Sequence, residues 1–120
     1  MKPPGLKPIV WIGDSLEVPR GFPQAVREEM GYALYLAQVG DKHPNAKPLK
    51  GFSSGVLEVV SDHRGDTYRA VYTVRLAGKV YALHSFQKKS KRGIATPKTE
   101  VDLITQRLKR AKELHAEQED

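Results

Sequence analysis

The chain has 120 residues, 39% hydrophobic and 28% charged, with 20 Lys and Arg set against 14 Asp and Glu for a formal net charge of +6. One domain with a single two-layer core fits that length, and the composition excludes a mainly disordered chain. Cysteine is absent, which excludes disulfides, thiol nucleophiles and thiolate-held metals.

Pro3, Pro4 and Pro8 keep the opening residues extended, and the short apolar run that follows predicts a first strand over 8–12 with Trp11 in the core. The start lacks a signal-peptide pattern and no apolar run reaches membrane-spanning length, so the expected location is the cytoplasm, without a membrane partner. Asp14 or Ser15 is placed to cap one helical turn, which Pro19, Gly21 and Pro23 interrupt. From Pro23 the spacing turns helical: Phe22, Val26, Met30, Ala33, Leu34 and Ala37 fall on one face, and Gly40 ends the helix. Residues 41–55 read as a connection, rich in Pro and Gly and carrying Lys42, Lys47 and Lys50.

Three strands follow at hairpin spacing, over 56–61, 67–76 and 79–87, joined by His63-Arg64-Gly65-Asp66 and by Ala77-Gly78, which predicts an antiparallel meander. Thr96 and Pro97 open the last helix, with Val101, Ile104, Leu108 and Ala111 inward, Arg107, Lys109, Arg110 and Lys112 as its cations, and a tail fraying from His115. The expected fold is a single α+β domain over 1–120, with helices packed on one face of a mainly antiparallel sheet. Residues 1–7 and 113–120 are expected to be flexible.

Charge is concentrated in 79–98. No Asp or Glu lies between Leu76 and Thr99, while Lys79, Lys88, Lys89, Lys91, Arg92 and Lys98 are cationic. Such a basic body points to a polyanion: RNA, DNA or an acidic protein. Strand alternation would set Val80, Ala82, His84, Phe86 and Lys88 on one face. That row is either a half-buried strand with His84 exposed at its end, or an imidazole, a ring and an ammonium lined up for a phosphate and a base.

Glycine-rich phosphate loops, nucleophile elbows and H-E-x-x-H are missing, and His43, His63, His84 and His115 are scattered, so neither a cofactor nor a metal is expected. Metal-free RNA cleavage asks only for a base, an acid and a cation for the phosphate. Glu58, Arg69, His84, Lys88 and Lys89 are the right types. Glu58 either takes a proton or pairs across the sheet with Arg69 or Arg75; Phe86 is either core or a platform for a base. Lys88, Lys89, Lys91 and Arg92 either hold RNA or form a solvated loop.

Several blocks occur in a particular order. Phe22-Pro23 precedes a helix with Gly31-Tyr32-Ala33-Leu34 and Gln38; then come Lys47-Pro48-Leu49-Lys50-Gly51, Val56-Leu57-Glu58-Val59, Tyr68-Arg69-Ala70-Val71-Tyr72 and His84-Ser85-Phe86-Gln87-Lys88-Lys89-Ser90 with Thr96-Pro97. From Ile9 to Lys112 this set resembles the RelE/HigB-like toxin superfamily, in its phage-derived HigB-like branch. The resemblance implies a RelE-type fold and the toxin of a type II toxin-antitoxin pair, an endoribonuclease that cuts mRNA on the translating ribosome and so inhibits translation. It also implies a HigA-like helix-turn-helix antitoxin, through which alone the complex would reach operator DNA. Matched motif by motif, it makes Arg69 the phosphate-stabilising arginine, His84, Lys88 and Lys89 catalytic or RNA-contacting groups, Lys50 part of an RNA-approaching loop and Glu58 the L-E carboxylate.

Many members of that superfamily carry an aromatic near the C-terminus, whereas none follows Phe86 here. That departure leaves open which group is general acid and which is base. His84, whose type titrates near ~6.5 when unperturbed, is the expected proton-moving group, and Glu58 either orients or deprotonates. The expected catalytic set is Arg69, His84, Lys88 and Glu58, with Lys50, Phe86, Lys89, Lys91 and Arg92 binding RNA. Two other readings fit the same residues: a non-catalytic basic module that binds RNA, DNA or protein, and a phage structural protein.

Overall fold

The computed structural model describes residues 5–52, 55–88 and 96–118. In chain order these form β1 (Ile9–Trp11), α1 (Glu17–Arg20), α2 (Gln24–Gln38), β2 (Ala46–Pro48), β3 (Val56–His63), β4 (Asp66–Thr73), β5 (Val80–Lys88) and α3 (Lys98–Gln118). The sheet order is β1-β5-β4-β3-β2, with β1 parallel to β5 and every other neighbour antiparallel. The α+β architecture with a C-terminal helix is the one the sequence predicts.

Local chemistry sets the boundaries. Arg64 and Gly65, at φ of 51° and 86°, close the β3–β4 hairpin with both residues left-handed, which matches the strand twist. At the end of α2 the Gly40 N–H donates to the Ala37 carbonyl and the Asp41 N–H to that of Leu36, the paired closure that a glycine at φ 87° permits. Pro97 precedes α3, and its carbonyl accepts from the Val101 N–H.

The helices lie on both faces of the sheet rather than on one. Val26, Met30, Ala33, Leu34 and Ala37 of α2 pack with Val59, Tyr68, Ala70, Tyr72 and Val80. Ile104, Leu108 and Ala111 of α3 pack with Val56, Val71, Tyr81 and Leu83. The strands are apolar on both sides, so a single helical layer would leave one side wet at ~25 cal/mol per Å² of exposed apolar surface.

β5 breaks the expected alternation. Tyr72 pairs with Ala82 but Val71 pairs with His84, so Leu83 is an extra residue in a bulge. Ahead of it, Val80 belongs to the α2 side; beyond it, His84, Phe86 and Lys88 turn to the α3 side with Tyr81 and Leu83. The His-Phe-Lys row survives, separated from Val80 and Ala82.

Four smaller expectations change. Trp11 is 37% exposed, because β1 is an edge strand with no neighbour beyond it. Residues 41–55 contain a strand, β2, whose three residues are defined by pairing with β3 and not by any pattern of their own. Neither Asp14 nor Ser15 caps α1 through its side chain; the Ser15 hydroxyl donates to the Ala82 carbonyl and Asp14 pairs with Arg107. α3 stays helical to Gln118 instead of fraying at His115, whose Nδ1 lies 3.0 Å from the Tyr81 hydroxyl.

Candidate nucleic-acid site

α3 docks along β5 and packs on Val56 and Val71, and a cleft lies between the start of the helix and the residues of β2, β3 and β4. This cleft, of about 450 Å³, is walled by Lys47, Lys50, Glu58 and Arg69 on one side and by Thr96 and Val101 on the other. A wider recess of about 780 Å³ adjoins it, lined by Lys47, Asp62, Thr67 and Arg69 among others. Arg69 and Lys47 wall both.

Glu58 sits opposite Val71 and Arg69 opposite Val60, a diagonal that brings the two charges together. Arg69 Nη1 donates to Glu58 Oε1 at 2.8 Å, and the residues are 7% and 4% exposed. Of the two partners the sequence offers Glu58, the structure pairs it with Arg69. Breaking a buried pair from one side costs about 3–5 kcal/mol, because the remaining charge is stranded.

His84, 7% exposed, is enclosed. Its Nε2 lies 2.6 Å from Glu100 Oε1, and its Nδ1 lies 3.3 Å from Arg107 Nη1. A guanidinium only donates, so Nδ1 accepts and the neutral ring carries its hydrogen on Nε2, facing Glu100. Phe86 stacks on the imidazole at 5.3 Å and is itself 6% exposed. The ring offered as a base platform therefore backs His84, with little surface left for a base.

Arg107 ties three segments together. Nη1 also donates to the Leu83 carbonyl at 3.0 Å, and Nη2 pairs with Asp14 Oδ1 at 2.7 Å. That guanidinium, hydrogen-bonded to Asp14, holds its carboxyl below the ordinary 3.8. It also lies against Gly13, where an added Cβ would come within 2.8 Å of Arg107 Cζ at a φ of 59°.

Lys50 is exposed beside the cleft, and Lys88 is half-buried at the end of β5, opposite Thr67. Lys89, Lys91 and Arg92 lie outside the described residues. The structure thus brings Glu58, Arg69 and Lys50 to one cleft and sets His84 and Phe86 beside it, beneath the first turns of α3.

Sequence reasoning passed over Lys47, Glu100 and Arg107. Arg107 had a signal: it falls on the inward stripe of α3 with Ile104, Leu108 and Ala111, where a charge needs a partner. Among the described residues no group of three or more His, Asp or Glu is placed to hold a metal ion, and no helix is long and apolar enough to cross a membrane.

A family model described as phage derived protein Gp49-like (DUF891) matches residues 19–109. The chain belongs to this Gp49-like family. The matched span of this Gp49-like protein contains Lys47, Glu58, Arg69, His84, Glu100 and Arg107, and leaves out β1 and Asp14. No curated protein and no solved structure matches the chain.

Proposed function

We propose that this Gp49-like protein is the toxin of a type II toxin-antitoxin pair, a metal-independent endoribonuclease that cuts mRNA on the translating ribosome. The carrying observation is the cleft in which Arg69, fixed in place by Glu58, shares a wall with Lys47 and Lys50. A guanidinium held before the ligand arrives loses little freedom on meeting a phosphate, and that pre-organisation is what a crowded phosphorane needs. The lysines would track the backbone, and Lys88 would approach the scissile phosphate. A HigA-like helix-turn-helix antitoxin would neutralise the toxin and carry the pair to operator DNA, all within the cytoplasm.

mRNA cleavage in a reconstituted translation reaction, with and without ribosomes, tests this. Removing Arg69 alone would strand Glu58, so the informative variant is Glu58→Gln with Arg69→Gln. Folded parent protein should cleave when ribosomes are present, and the paired variant should lose at least ~100-fold in rate. Folded parent that cleaves under neither condition would overturn the reading.

The second reading, a non-catalytic basic binding module, draws on the enclosure of His84, both of whose ring nitrogens are engaged. For such a module each lysine removed should weaken binding modestly, and no single substitution should spare binding while abolishing turnover.

A further inference from the structure

Resting on the endoribonuclease reading, we infer that Glu100 is the group that takes the substrate proton, and that His84 and Arg107 position it. Beside the cleft, Glu58 and His84 are committed elsewhere, and Asp62 of the adjoining recess accepts from the Thr67 hydroxyl at the far end of the β3–β4 pair. Glu58 is 4% exposed and held by Arg69. His84 has Glu100 on Nε2, Arg107 on Nδ1 and Phe86 across its ring, so a ribose hydroxyl reaches neither nitrogen without displacing a partner.

Glu100 differs on each count. Its side chain is 28% exposed against 8% for that of His84. A carboxylate offers about four acceptor directions, and the contact with His84 uses one. It lies in the first turn of α3 next to Val101, which walls the cleft. Its carboxylate rests on His84, whose stacked neighbour Phe86 pairs across the strands with Arg69; Glu100 thus stands at the edge of the cleft rather than in its wall.

The chain of contacts then has a direction. Asp14 holds Arg107, Arg107 donates to Nδ1 and fixes the tautomer, and Nε2–H donates to Glu100. In the step itself, Glu100 accepts the proton of the ribose 2′-OH as the 2′ oxygen bonds to phosphorus. The bond from phosphorus to the 5′ oxygen breaks, and that oxygen takes a proton from water. A 2′,3′-cyclic phosphate and a 5′-hydroxyl end result, and Glu100 returns its proton to solvent. Among the described residues, the charged and titratable groups on this side of the sheet include Lys47 and Lys50 at the cleft, Glu58 on β3, Arg69 on β4, Tyr81, His84 and Lys88 on β5, Arg107 and His115 on α3, and Asp14 after β1.

Glu100→Gln separates proton transfer from positioning. The Gln carbonyl still accepts from Nε2–H, but the amide takes no proton. Cleavage should fall ~100-fold or more, the acid limb of the pH–rate profile should flatten, and affinity for a 2′-deoxy oligonucleotide analogue of the substrate should stay within about two-fold of the parent. Thermal unfolding should confirm that the variant is folded, and Glu100→Asp, which keeps the carboxylate, should recover part of the rate. A folded Glu100→Gln protein that cleaves at the parent rate with its acid limb intact would overturn the inference while leaving the endoribonuclease reading standing. Folded parent that cleaves nothing would end both.

Discussion

At the scale of single residues, the buried charges matter most for stability. Arg69→Ala should destabilise by about 3–5 kcal/mol in urea unfolding, because Glu58 keeps its charge and loses its donor, whereas Glu58→Gln with Arg69→Gln should cost clearly less. Tyr72 makes an independent prediction. Burial pushes its phenol up to about 12 from the ordinary 10.0, and among the described residues its hydroxyl has no hydrogen-bond partner. A raised pKa means that the folded state holds the proton longer than the unfolded chain does. The contribution is therefore whole below pH 10 and drains away as pH rises toward 12. Urea midpoints measured across that range should fall less steeply for Tyr72→Phe than for the parent. Near neutrality the same substitution should be almost neutral or slightly stabilising, since it removes an unpaired buried hydroxyl.

At the scale of elements, α3 is the piece that both completes the core and shapes the cleft. Ile104→Ala, at a residue with no exposure, should cost about 2–5 kcal/mol in the same unfolding measurement. α2 was legible because an apolar stripe runs its full length and a glycine closes it; the meander was legible from its glycine turns. The bulge was not. Ala82 and Leu83 are both apolar, so a change of phase between them leaves no mark in the hydrophobic pattern. β2 was hidden because its strand state comes from β3, some ten residues away in sequence, rather than from its own composition. The candidate site divides in a similar way. Glu58, Arg69 and His84 could be singled out by type and by neighbouring strands. Glu100 gains its place only when α3 folds back across β5 to meet a histidine 16 residues earlier.

At the scale of the whole molecule, on the proposed endoribonuclease reading, each lysine of the cleft that meets a phosphate should make binding of RNA more salt-dependent. Lys47→Ala and Lys50→Ala should each lower the slope of log affinity against log salt by about 0.7, the value for one single-strand phosphate contact, in filter binding or fluorescence anisotropy. An unchanged slope in both variants would move the RNA path off this cleft. The contact of Gly13 with Arg107 reaches across the chain in another way. A residue with no chemistry of its own occupies the space next to a guanidinium that is fastened to Asp14, Leu83 and His84. A side chain there would meet both a left-handed backbone and that guanidinium. On the proposed toxin reading, a saturation screen for relief of growth arrest should thus score Gly13 among the inactivating positions, a silent-looking loop residue whose replacement acts on the site from a distance.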